Sequence, residues 1–141
     1  MNKVQSVRLA LNDAIPDLVD NPDKLLVFAD TGSIIASMAA TSSFDYAFTL
    51  NVILQDFTGD ADVVFSAIVR WMRANEAAAL LNVDTREQAI TFEADFTDQT
   101  TVDLSIKLKL TESVVVNDDG TMAHVVEPKP NYDMPGEQWT N

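Results

Sequence analysis

The chain reads as an α+β protein, a largely antiparallel sheet of about four to five strands packed with two helices and followed by an extended C-terminal arm. Three observations predict this class. Long stretches alternate apolar and polar residues with a period of two, most clearly from Phe44 to Gln55. Two other stretches carry apolar residues at helical spacing, one opening the chain and one following that long strand. Beyond Val116 the periodicity stops, and Pro128, Pro130 and Pro135 interrupt any regular pairing.

From Lys3 to Ile15 the positions Val4, Val7, Leu11, Ala14 and Ile15, and then Leu18, recur as one helical face, with Asn2 available as a cap and Pro16 as the interruption. Asn21-Pro22-Asp23 is turn chemistry. Leu25 to Phe28 and then Ile34-Ile35 read as two short strands flanking Asp30-Thr31-Gly32-Ser33. The small, weakly patterned residues Ser37 to Ser43 either extend the second of these strands or form a loop. In the long strand Phe44, Tyr46, Phe48, Leu50, Val52 and Leu54 share one face, while Asp45, Thr49, Asn51 and Gln55 share the other.

At Phe57-Thr58-Gly59-Asp60 the period switches to 3.6, and Val64, Ala67, Ile68, Trp71 and Met72 line one side of a helix ending near Asn75 or Glu76. Asp60 is the expected cap and Trp71 the expected core aromatic. Asp60 and Asp62 near the start, with Arg70 and Arg73 near the end, suit the helix dipole. Leu80-Leu81 packs the exit, and Val83 to Gln88 is a polar stretch. Ile90, Phe92, Ala94 and Phe96 then alternate with polar residues, as do Val102, Leu104, Ile106, Leu108 and Leu110. The segment Thr97 to Thr101 between them suits a hairpin loop, which would set Glu93 and Asp95 against Lys107 and Lys109 on the outward face.

These signals divide the chain into a domain over residues 1–116 and an arm over residues 117–141. Asn117-Asp118-Asp119-Gly120 is a turn. Tyr132, Met134 and Trp139 have no patterned element to bury them, which makes them either idle or anchors for a partner such as a neighbouring subunit.

Composition narrows the function. The net charge of −13, from 22 acidic against 9 basic residues, opposes binding to nucleic-acid phosphates and argues against sequence-specific DNA or RNA recognition. Cysteine is absent, so disulfide and thiolate chemistry are excluded. The N-terminus lacks the apolar run of a secretory signal, and no apolar stretch reaches the length of a membrane span, so the expectation is a soluble protein made and used inside the cell, with no membrane partner.

Catalytic, cofactor and metal sites find little support. Asp56, Asp60 and Asp62 invite a metal, but Gly59 follows only one acid, unlike an EF-hand loop. His124 is the single histidine and lies in the unpatterned tail, and no nucleophile elbow, phosphate loop or zinc-protease motif occurs. Trp71 and Met72 are core by their spacing from Val64 and Ile68. A small acidic metal-dependent hydrolase is the less favoured alternative class.

Four blocks carry a family resemblance, in order: "NPDKLLVFADTGSIIA" at 21–36, "YAFTLNVILQDFTGD" at 46–60, "IVRWMRANEAAALLN" at 68–82 and "TFEADFTDQTTVDLSIKLKLTESVVV" at 91–116. Together they resemble the tail completion protein R family of P2-like contractile-tailed bacteriophages. The chain departs from that pattern at Glu76-Ala77, where the family tends to have Gln-Pro. The resemblance implies a structural virion protein, tail terminator-like, that completes the tail at its head-proximal end and supports head-tail joining. It implies a ring of copies, six by analogy with tail terminators, contacting tail tube and sheath proteins on one side and neck or connector proteins on the other. DNA would pass through an acidic lumen that repels it. A neck or head-completion subunit is the structural alternative.

Overall fold

The computed structural model describes residues 1–125. Helix α1 (Asn2–Ala14) and the short α2 (Asp17–Asp20) precede a 3₁₀ turn at Pro22–Lys24, which leads into β1 (Leu25–Ala36) and β2 (Phe44–Phe57). Then follow α3 (Ala61–Asn75), α4 (Ala77–Leu81), α5 (Arg86–Ala89), β3 (Ile90–Phe96), β4 (Val102–Val116) and β5 (Met122–His124). The sheet is antiparallel in the order β1-β2-β4-β3, with β5 pairing the far end of β4. The protein is therefore α+β, with α1 and α3 as its two long helices.

The centre is the β2–β4 pair, in register from Phe44↔Val114 to Phe57↔Val102. Because alternate residues of a strand point to opposite faces, Phe48, Leu50, Val52 and Leu54 lie beside Leu110, Leu108, Ile106 and Leu104, all buried. Val7 and Leu11 of α1 and Val64, Ile68 and Met72 of α3 complete that core. The indole Nε1 of Trp71 donates to Ser6 Oγ at 2.8 Å, so the largest buried side chain of α3 is tied directly to α1.

The two short strands expected around Asp30 are one strand. The register runs Ala29↔Leu50 and then Thr31↔Thr49, leaving Asp30 as an inserted bulge residue. The insertion moves the core-facing set from Leu25, Val27 and Ala29 to Gly32, Ile34 and Ala36, and this broken alternation is what mimics two strands in the sequence. A Cβ at Gly32 would lie 2.7 Å from the Ala47 carbonyl oxygen, so glycine permits the close approach of β1 to β2. Residues Ser37 to Ser43 form the connecting loop. A second irregularity ends β2, where Asp56 sits at φ 53° and its N–H donates to Asp103 Oδ1 at 2.8 Å.

Asp60 takes an extended backbone ahead of α3, and its Oδ1 accepts the Asp62 N–H at 2.9 Å. The helix stops at Asn75, and Glu76 leads straight into α4. The stretch before β3 contains the short helix α5 in addition to polar loop. In the Thr97–Thr101 loop the Asp98 carboxylate accepts from the Thr100 N–H and hydroxyl and from the Thr101 N–H, which holds its pKa below the usual value.

The segment after Val116 turns through Asn117–Gly120 and returns as β5, with Val114↔His124. Residues 126–141, with Tyr132, Met134 and Trp139, lie outside the described residues.

The geometry of α3 generates a prediction. Asp60→Ala should cost on the order of 1 kcal/mol through the lost cap. Trp71→Ala should cost on the order of 3–5 kcal/mol through the cavity it leaves. Denaturant midpoints of the two variants measure the difference, with Trp71 expected to dominate.

Candidate assembly interface

Two buried carboxylates organise one end of the fold. Glu112 occupies a core-facing position of β4, and the residue is only 6% exposed. Its neutral surroundings would reject a bare charge, yet the backbone N–H groups of Asn2 and Lys3 donate to it at 3.0 and 3.3 Å. No residue of α1 caps its own N-terminus with a side chain. The carboxylate of Glu112 does so from the sheet, where the helix dipole favours negative charge. His124 Nδ1 of β5 lies 2.9 Å from Glu112 Oε1, at ion-pair distance but without hydrogen-bond alignment.

Glu76, 4% exposed, answers a different need. Along one edge of β4, β3 ends at Ile90↔Leu108 and β5 starts only at Val114↔His124, so the Thr111 N–H between them has no strand partner. Glu76 Oε2 accepts that N–H at 2.8 Å, and Oε1 accepts the Thr111 hydroxyl at 3.2 Å. Lys3 Nζ forms an ion pair with Glu76 and donates to the Asn75 carbonyl at 3.0 Å, at the C-terminal end of α3 where a cation is favoured. Lys3 and the two glutamates thus join α1, α3, β4 and β5. Tyr46 stands beside this cluster, and its phenol pKa is raised above 10.0, first by burial and then by the Glu112 charge.

Every oxygen of both carboxylates is engaged, so the cluster holds structure and offers no free acid or base. Among the described residues no group of three or more His, Cys, Asp or Glu side chains could hold a metal ion, and no helix is long and apolar enough to cross a membrane.

The exposed surface is more informative. The expected pairing of Glu93 and Asp95 with Lys107 and Lys109 does not form. The hairpin register sets Glu93 opposite Ser105 and Asp95 opposite Asp103, with Lys107 opposite Thr91 and Lys109 beyond the end of β3. The apolar row of β3 is also uncovered, Phe92 being 57% and Phe96 74% exposed. The long helices lie over β2 and β4 and cover this edge only in part: Phe65 of α3 reaches Phe92, with ring centroids 4.8 Å apart. At the opposite edge Leu26, Phe28, Ile34 and Ile35 of β1 are exposed. Strands β1 and β3 present unpaired edges among the described residues, a feature that proteins normally cover.

A family model for P2 phage tail completion protein R (GpR) matches residues 1–130. The chain belongs to the P2 phage tail completion protein R family. It is 40% identical over 133 residues to tail completion protein R of Escherichia phage P2, spanning 92% of this chain and 86% of that relative. No solved structure matches.

Within this member of the family, Glu76 and Glu112 escaped sequence reasoning. Glu112 had one available signal, since it continues the even-numbered apolar row of Val102 to Leu110 with an acid. Glu76 gave no such signal, since nothing local in the sequence indicates a strand gap 35 residues away.

Glu76→Ala should destabilise the fold by about 3–5 kcal/mol, because it leaves Lys3 unpaired and the Thr111 N–H unsatisfied. Glu76→Leu combined with Lys3→Met should cost less, since no buried charge is then orphaned. Chemical denaturation of the three proteins decides between these outcomes. Tyr46 adds a pH dependence: because its folded pKa lies above the unfolded one, the folded state retains a proton that the unfolded state releases. Its contribution is complete below about pH 10 and lost as pH rises through the folded pKa. Stability measured across alkaline pH should fall less steeply in Tyr46→Phe.

Proposed function

We propose that this protein completes the contractile tail at its head-proximal end, as a closed ring of copies that supports joining to the head. The observation that carries this reading is membership of the tail completion protein R family along nearly the whole chain. The free edges of β1 and β3 and the exposed Phe92 and Phe96 support it, since cyclic closure covers edges that a lone subunit leaves open. The role is non-covalent and not enzymatic, in keeping with buried carboxylates whose oxygens are already taken. The ring contains six subunits, meets tail tube and sheath proteins on one face and neck or connector proteins on the other, and lets DNA pass through its lumen. It resides in the virion tail after assembly in the host cytoplasm. The arm beyond β5, carrying Tyr132, Met134 and Trp139, contacts a neighbouring subunit or an adjoining neck or tail protein.

Native mass measurement across salt concentrations, with and without tail tube protein, should give a closed oligomer. A monomer under every condition and in the virion would rule the ring out. Truncation after Val125 retains β5 and should leave the fold intact while lowering the yield of complete virions. Complementation scored by electron microscopy should show free heads with free or overlong tails, and wild-type titres would make the arm dispensable.

A further inference from the structure

The face of the sheet opposite α1 and α3 has three features that belong together. Phe28, Asn51 and Lys107 stand in one cross-strand row, flanked by Leu26 and Ile53 on one side and by Lys109 on the other. Phe28 and Leu26 are exposed, as are both lysines, which have no carboxylate partner among the described residues. Asn51 is 5% exposed, and its Nδ2 has no hydrogen-bond acceptor among the described residues. An apolar centre and two unpaired cations describe a surface that lacks its counterpart, with the Asn51 amide buried beneath it.

The same chain carries a complementary patch elsewhere. Asp17 and Asp20 of α2 and Asp23 of the 3₁₀ turn are exposed around Val19, which is exposed as well. Lys24 approaches Asp17 at 3.6 Å, while Asp20 and Asp23 have no cationic partner among the described residues. We infer that the lysine-bearing sheet face of one copy receives the acidic α2 corner of the next. Two different patches on one chain make a head-to-tail contact, which closes into a ring when the rotation permits. With a net charge of −13 most of the surface repels a second copy, so the lysine pair marks where approach is favoured and sets the register. This rests on the ring reading above and specifies its subunit contact. A nucleic-acid partner fits less well, because Leu26, Phe28 and Ile53 adjoin the lysines and form apolar surface that a phosphate backbone leaves uncovered.

The test uses charge reversal in the full chain, with tail tube protein present where assembly requires it. Lys107→Glu with Lys109→Glu should remove the oligomer at concentrations where the wild type is assembled, and so should Asp20→Lys with Asp23→Lys. Mixing these two variants restores opposite charges at every junction, so native mass spectra should show rings of alternating composition. The protein carrying all four substitutions should assemble alone. Circular dichroism melting confirms that each variant is folded. Rings that persist in either double variant, or folded variants that fail to assemble on mixing, would overturn the contact while leaving the ring reading intact. Wild-type protein that never assembles defeats both. Loss of DNA retention alone in Lys107→Glu with Lys109→Glu, with rings intact, would assign the lysines to nucleic acid and overturn the proposal.

Discussion

The antiparallel pairing of β2 with β4 is the constraint on which the remaining structure depends. Pairing from Phe44↔Val114 to Phe57↔Val102 commits one row of each strand to the core and the other to the opposite face. A slip of one residue would send Leu50, Val52, Ile106 and Leu108 outward together, so the hydrophobic pattern holds the register firmly. Helices α1 and α3 then have one apolar surface on which to lie. Strands β1 and β3 inherit their places as neighbours of this pair, and each is left with one edge unpaired among the described residues.

A sheet with this register places Glu112 on its core side and interrupts the β4 edge at Thr111. Both features would be liabilities alone. Burying a carboxylate is unfavourable unless donors surround it, and an unpaired backbone N–H costs about 1–3 kcal/mol. The fold resolves them with the ends of helices. The N-terminus of α1 supplies donors to Glu112, and the chain leaving α3 supplies Glu76 to Thr111. Lys3 joins the two solutions, because the residue whose N–H reaches Glu112 also sends its ammonium to Glu76. Buried acids often mark catalysis. Here every carboxylate oxygen has a partner, and these contacts tie α1 and the exit of α3 to β4 at the root of β5.

The surface shows the opposite economy, with groups left unsatisfied. Exposed aromatics on β3, exposed aliphatics on β1 and lysines without a carboxylate partner among the described residues are features that a solitary subunit gains nothing by keeping. Their combination with a strongly acidic remainder suits a protein whose associations are few and oriented, since repulsion over most of the surface suppresses contacts other than the complementary ones.

Residues 44–55 and 102–110 could be assigned to strands from sequence because alternation is a local, repeated signal, and the structure extends them to 57 and 116; a helix ending near Asn75 could be assigned because the same holds at a period of 3.6. The α+β class follows from those three segments and α1. The unity of β1 was hidden by one inserted residue, Asp30, which reverses the alternation and becomes visible only against the partner strand. The exposure of Phe92 and Phe96 was hidden for a related reason: alternation tells which residues share a face, but not whether a helix extends far enough to cover it. Ion pairing on β3 and β4 depended on a hairpin register that composition does not specify, and β5 is too short to produce a period. Glu76, Glu112 and Lys3 meet across more than 70 residues of chain, so their partnership has no local trace. By itself the sequence determined periodicity, charge and family, because these are properties of neighbouring residues or of the whole composition. The tertiary structure decided coverage, register and the fate of every buried charge, because each depends on which distant segment arrives to meet it.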